Sequence, residues 1–172
     1  NRFVEAIVAP GFDDAALKLL TEKPKWGKSV RLLDVGDFGA NGRDARDVEV
    51  KKLVGGFLVQ DRDLFAAGEG HCKVATKRAP TESELASMLF ANRICKHVKS
   101  NAILLARGTQ LLGTGAGQMS RVDSVMLAVR KAGANARGSV VASDAFFPFP
   151  DGVIAALDAG ATAILQPGGS VR

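Results

Sequence analysis

Tyrosine is absent, tryptophan occurs once, and histidine and cysteine occur twice each. Each shortage excludes something. The nine phenylalanines are scattered, so no stacking platform for nucleic-acid bases accompanies the positive charge. Cys72 and Cys95 cannot build a disulfide framework, and reduced thiols in a cytoplasmic protein are the expectation. Cys-x-x-Cys does not occur, which argues against structural zinc at His71-Cys72 or Cys95-Lys96-His97. The deaminase pattern of His-x-Glu followed by Pro-Cys-x-x-Cys is missing too, so no metal site is assigned. No apolar run reaches the roughly 18 residues that span a bilayer. No basic stretch precedes an apolar core at the start, so no secretory signal is seen and no membrane is expected.

What remains is a chain able to fold around a core. It has 172 residues, 47% of them apolar and 24% charged, with 19 glycines. We treat 1–172 as a single α/β domain. The net charge of +5 is spread among acids, as on an ordinary solvated surface; it is compatible with anionic small molecules and does not demand nucleic acid. The chain starts at Asn1 and stops at Gly168-Gly169-Ser170-Val171-Arg172. The expectation is a piece of something longer.

Strands are expected at 3–8, 29–35, 48–54, 56–59, 73–77, 102–106, 110–113, 139–142 and 161–166. Helices are expected at 13–20, from a cap at Thr81 through Cys95, at 120–131 and at 151–157. Thr81 and Glu84 form a capping box, and Asp13 or Asp14 caps the first helix. Arg107-Gly108-Thr109 turns a hairpin. Strands alternating with helices predict a layered sheet covered by helices.

Three segments suggest chemistry. Gly113-Thr114-Gly115-Ala116-Gly117 runs from a strand toward a helix start, with Arg121 close behind. It is either a structural turn or an anion site made of free N–H groups and a guanidinium. Its spacing fits neither the triphosphate loop nor the dinucleotide fingerprint. Asp144-Ala145-Phe146-Phe147-Pro148-Phe149-Pro150-Asp151 is either a hydrophobic plug with Asp151 capping a helix, or an aromatic wall with a carboxylate that reads a heterocycle. Asn101 is either a turn residue or a donor–acceptor pair for a ligand carboxamide.

Six ordered stretches carry a family resemblance: Leu58-Val59-Gln60-Asp61-Arg62-Asp63, Thr76-Lys77-Arg78-Ala79-Pro80-Thr81, Cys95 to Ile103, Gly115 to Arg121, Ser143 to Phe149, and Gln166-Pro167-Gly168-Gly169-Ser170. Together they closely resemble the transformylase region of the family that joins AICAR formyltransferase to IMP cyclohydrolase. The match is strong over 53–172 and loose over 1–52.

The resemblance implies formyl transfer from 10-formyltetrahydrofolate, as co-substrate, to the amine of AICAR in purine (IMP) biosynthesis. It implies a cytidine deaminase-like subdomain, the second of two. It also implies a cytoplasmic homodimer in which the rest of the transformylase chain is a partner. Asn101 and Arg121 match positions that contact the AICAR nucleotide. Val122, Phe146, Asp151, Ser170 and Val171 match positions that line the folate site. Pro150 stands where the family often has Arg. The family's catalytic Lys-His pair lies upstream, in a motif where an Asn-Pro soon follows, and no such motif occurs here. Lys96-His97 is followed by Val98-Lys99 instead, so no catalytic residue is assigned and the piece alone is expected to be inactive. The rival readings are a non-catalytic ligand-binding module of the same fold and a zinc nucleobase deaminase.

Overall fold

A computed structural model describes residues 3–36 and 48–169. The chain, read above as one domain, divides into two compact units, Asn1–Leu64 and Phe65–Arg172.

In the first unit, β1 (Ala6–Ala9) and β2 (Arg31–Asp34) pair in parallel around the helix α1 (Asp14–Glu22). Asp13 caps α1, its Oδ1 accepting from the Ala16 N–H at 2.6 Å. β3 (Val48–Leu53) and β4 (Gly56–Asp61) form an antiparallel hairpin. Gly55 takes the left-handed turn position at φ +84°, which costs a residue with a side chain more than it costs glycine.

The second unit carries the layered fold. α2 (Glu82–Cys95) begins at the expected capping box. The Thr81 hydroxyl accepts from the Glu84 N–H, and the Glu84 carboxylate accepts from the Thr81 N–H. β5 (Ile103–Arg107) and β6 (Gln110–Gly115) form the expected hairpin, and α3 (Arg121–Ala132) follows. β7 (Val140–Ser143), α4 (Pro150–Asp158) and β8 (Ala163–Leu165) complete the unit. The sheet order is β6-β5-β7-β8, antiparallel except for the parallel β7–β8 pair.

Period-two alternation explains the layers. Ile103, Leu105 and Val141 face one side, where they pack with Val125 and Ala128 of α3 and Ala156 of α4. Leu104, Ala106, Val140 and Ala142 face the other, against Met88, Ala91 and Cys95 of α2. β5 and β7 are therefore buried on both faces, and their sequences read as continuous apolar runs. The mixed α/β class with helices over a sheet is as expected.

Two expected strands need correction. Residues 73–77 form none: the segment is exposed and, among the described residues, pairs with no strand. β-branched Val74 alone does not make one; strand preference expresses packing on a pleated surface more than backbone bias. The first strand begins at Ala6 rather than Phe3, where the parallel pairing with Arg31 starts.

Candidate functional site

The sheet brings three chain segments together at one end. Asn101 precedes β5, Ser143 ends β7, and Arg121 opens α3. Ser120 caps α3, its hydroxyl accepting from the Asp123 N–H at 3.2 Å. The loop 144–149 leads from β7 into α4. Among these segments lies a cavity of about 370 Å³. Its lining includes Asn101, Arg121, Val122, Phe146 and Asp151. Those are all of the expected site residues that fall within the described part of the chain; Ser170 and Val171 lie outside it. Met119, Ser120 and Phe149 also line the cavity. Met119, in the loop just before the Ser120 cap, is 97% exposed.

Arg121 is held tightly. Its Nη1 donates to Asp144 Oδ1 at 2.5 Å and to the Ser143 hydroxyl at 2.8 Å, and its Nη2 donates to Asn101 Oδ1 at 2.8 Å. The Asn101 amide nitrogen donates in turn to the carbonyls of Gln118 (2.9 Å) and Met119 (3.2 Å). The Asp144 carboxylate also accepts from the Ala102 N–H at 3.0 Å and from the Ser100 hydroxyl. Burial works against its ionised form. The bonds from Ser100, Arg121 and Ala102, with the charge of Arg121, outweigh that and hold the carboxyl below its ordinary value. The Arg121 guanidinium, the Asn101 carboxamide and the Asp144 carboxylate are thus held by one another and by backbone in one fixed arrangement.

The structure decides several alternatives. Gly113 and Gly115 belong to β6, and their lack of a side chain serves helix packing: a Cβ there would lie 2.1 Å from Ala128 O and 1.9 Å from Ser124 O. The alternating glycines are therefore not a ligand cradle. Gly117 alone takes a left-handed turn, at φ +66°. Among the phenylalanines the work is divided. Phe147 is 5% exposed and forms the plug, while Phe146 and Phe149, 38% and 62% exposed, face the cavity. Gly152 makes room for the Phe147 ring, since a Cβ would meet it at 2.8 Å.

One carboxylate assignment is narrowed and one corrected. Of the two carboxylates flanking the phenylalanines, Asp144 is spent on internal donors and leaves the ligand-reading role to Asp151. Asp151 is not the cap of α4: Phe149 occupies the cap position, Pro150 opens the first turn, and Asp151 sits inside it. Its Oδ1 accepts from the adjacent Gly152 N–H at 2.7 Å. Lys96 donates to the Phe65 carbonyl at 3.0 Å, and Lys96 and His97 are not part of the cavity wall.

The second unit is thus a mixed α/β layer with a cavity at one end of its sheet. Comparison with known proteins gives the family of the chain. The sequence pattern of the AICARFT/IMPCHase bienzyme family matches residues 1–131, and the chain belongs to that family. It is similar to the bifunctional purine biosynthesis protein PurH of Sorangium cellulosum (strain So ce56), with 52% identity over 171 residues that cover 99% of this chain and 32% of the relative. PurH of Anaeromyxobacter sp. (strain K) is 50% identical over 175 residues, covering 99% of this chain and 33% of its own length. PurH of Nostoc punctiforme (strain ATCC 29133 / PCC 73102) is 48% identical over 170 residues, covering 99% and 32%. The chain spans about one third of the length of these relatives. Among the described residues no helix is long and apolar enough to cross a membrane.

Proposed function

We propose that this chain supplies part of the AICAR transformylase site of a bifunctional purine biosynthesis protein. In that site the amine of AICAR takes the formyl group of 10-formyltetrahydrofolate: its N–C bond to the formyl carbon forms as the folate's N–C bond breaks, tetrahydrofolate leaves, and the amine's proton passes to the folate nitrogen. The observation that carries the reading is convergence: Asn101, Arg121, Val122, Phe146 and Asp151, assigned from separate motifs, line one cavity in a chain of this family.

The amine of AICAR is a poor nucleophile, so the reaction needs both orientation and proton removal. Residues of this chain provide orientation. Asn101 and Arg121 hold AICAR through a carboxamide and a guanidinium. Val122 and Phe146 offer the folate an apolar wall, and Asp151 accepts from its N–H groups. Ser170 and Val171 are assigned to the same folate contact by resemblance. Proton removal belongs to residues elsewhere in the parent chain. A cavity of about 370 Å³ is at the small end for one drug-sized ligand, which supports a composite site completed by other segments or by a second subunit of a homodimer. By the same resemblance the chain is part of the second of two cytidine deaminase-like subdomains.

The test is calorimetric titration of the full-length parent protein with AICAR and with a folate analogue, beside a formylation assay. Binding of both ligands with turnover is expected. Binding without turnover would leave a non-catalytic module, and binding of neither would overturn the reading.

A further inference from the structure

We infer that Asp144 is the positioning residue of this site, fixing Asn101 and Arg121 in register before any ligand arrives. The inference rests on the proposed transformylase reading and adds a residue that touches no ligand in it. Asp144 holds Asn101 from both sides along the chain: one carboxylate oxygen accepts from Ser100 and the other from the Ala102 N–H. The second oxygen also takes Arg121 Nη1, and Arg121 Nη2 then clamps the Asn101 side chain. Ser124 fixes the Asn101 carbonyl at 2.8 Å. A single carboxylate on the loop after β7 thus ties the start of β5 to the start of α3.

The accounting of donors shows what is left for a ligand. A guanidinium carries five N–H groups. Three are used by Asp144, Ser143 and Asn101, so the group on Nε and one on Nη2 remain. The side chains of Arg121 and Asp144 are 9% and 12% exposed, so the pair is well shielded and its geometry is not averaged by solvent. Held this way, Arg121 presents a preset direction rather than a loose charge, and orientation is what this reaction asks of the chain.

The experiment uses the full-length parent protein and three variants, Asp144→Asn, Ser143→Ala and Arg121→Ala, with separate KM values for AICAR and the folate substrate, kcat, and melting curves. Asp144→Asn is expected to raise the KM for AICAR and lower kcat, with a combined loss of roughly tenfold to a hundredfold from misplaced groups, while the folate KM stays within about twofold. Ser143→Ala, which removes one Arg121 acceptor and keeps the charge pair, should shift the AICAR KM in the same direction by about threefold, and it covers the case in which Asp144→Asn does not fold. A purely structural role would lower the melting temperature and leave the ratio of the two KM values unchanged; that result overturns the inference. If Arg121→Ala impairs AICAR use and neither Asp144→Asn nor Ser143→Ala does, the positioning role alone fails. If the wild-type parent binds neither ligand, the functional reading fails first.

Discussion

Gly115 of β6 runs so close beneath Ser124 of α3 that a Cβ on it would lie 1.9 Å from the Ser124 carbonyl oxygen. The obstacle is helix backbone, which cannot swing aside as a side chain can. Gly115→Ala must therefore lift α3 from the sheet, and α3 carries Arg121 at its first position. We expect a loss of about 3 kcal/mol, at the upper end of ordinary overpacking. Gly117→Ala is the contrast. Its nearest atom would be Lys99 Cδ at 4.0 Å, and only its φ of +66° opposes a side chain, for about 1–2 kcal/mol. Urea melting of both variants checks the order. Equal costs would mean that the helix does not rest on Gly115 as described.

Glu84 ties local and long-range structure together. It closes the Thr81 capping box and forms a two-bonded pair with Arg78 at 2.8 and 3.1 Å, and Arg78 reaches the Thr162 carbonyl at 2.5 Å. Bonds from Arg78, then from the Thr162 side chain and the Thr81 N–H, pull the Glu84 carboxyl from 4.5 down to about 2. A depressed folded-state value means that the ionised form stabilises the fold. That contribution is complete above pH 4.5 and is lost as pH falls from 4.5 through about 2. Wild type should therefore exceed Glu84→Gln in urea midpoint at neutral pH, and the gap should close on acidification across that window. A gap that persists unchanged below pH 2 would show that the ion pair is not its source.

The two cysteines should differ sharply in reactivity. Cys95 is 1% exposed within the α2 face of the core, with its Sγ 3.8 Å from the Ala102 carbonyl. Burial, and after it the negative charge of Asp144, push its thiol up to about 12, against a smaller opposing effect of Arg121. The thiolate is the reactive species, so Cys95 stays inert at neutral and mildly alkaline pH. Cys72 is only half-buried. Iodoacetamide should modify Cys72 alone in the folded protein and both residues after denaturation, read by peptide mass mapping. Modification of Cys95 under native conditions would contradict the packing of α2.

Local signals were legible in the sequence and distant partnerships were not. Thr81 with Glu84, and Asp13 before α1, are start signals read within one turn of chain, and both form as expected. The hairpin across Gly108 is equally local. The site residues could be named because their motifs occur in a known order. What held them could not be. The Arg121–Asp144 pair spans 23 residues and exists only because β7 lies beside β5. The same dependence on neighbours left the reading of Gly113 and Gly115 open: alternate glycines look alike whether they make room for a phosphate or for a helix. Residues 73–77 pair with no strand among the described residues, and sequence pattern cannot supply a partner.

Asp151 separates a structural from a functional carboxylate. It sits in the first turn of α4 behind Pro150, with Phe149 at the cap position and no side chain capping that end. Its one bond among the described residues is from the adjacent Gly152 N–H, and it borders the cavity beside Phe146. Asp151→Asn should thus cost little stability, a few tenths of a kcal/mol from the lost charge near the positive end of a helix. In the proposed folate contact the same change removes a charged acceptor and presents an unwanted donor to the N–H groups of the pterin. Folate-analogue affinity of the full-length variant should fall by about 1–3 kcal/mol, with AICAR affinity nearly unchanged. Thermal melting beside calorimetric titration reads both quantities on one sample. Full folate affinity in the variant would leave Asp151 as a residue of the helix start only, and the cavity wall would then recognise the folate through Phe146 and Val122 without a carboxylate.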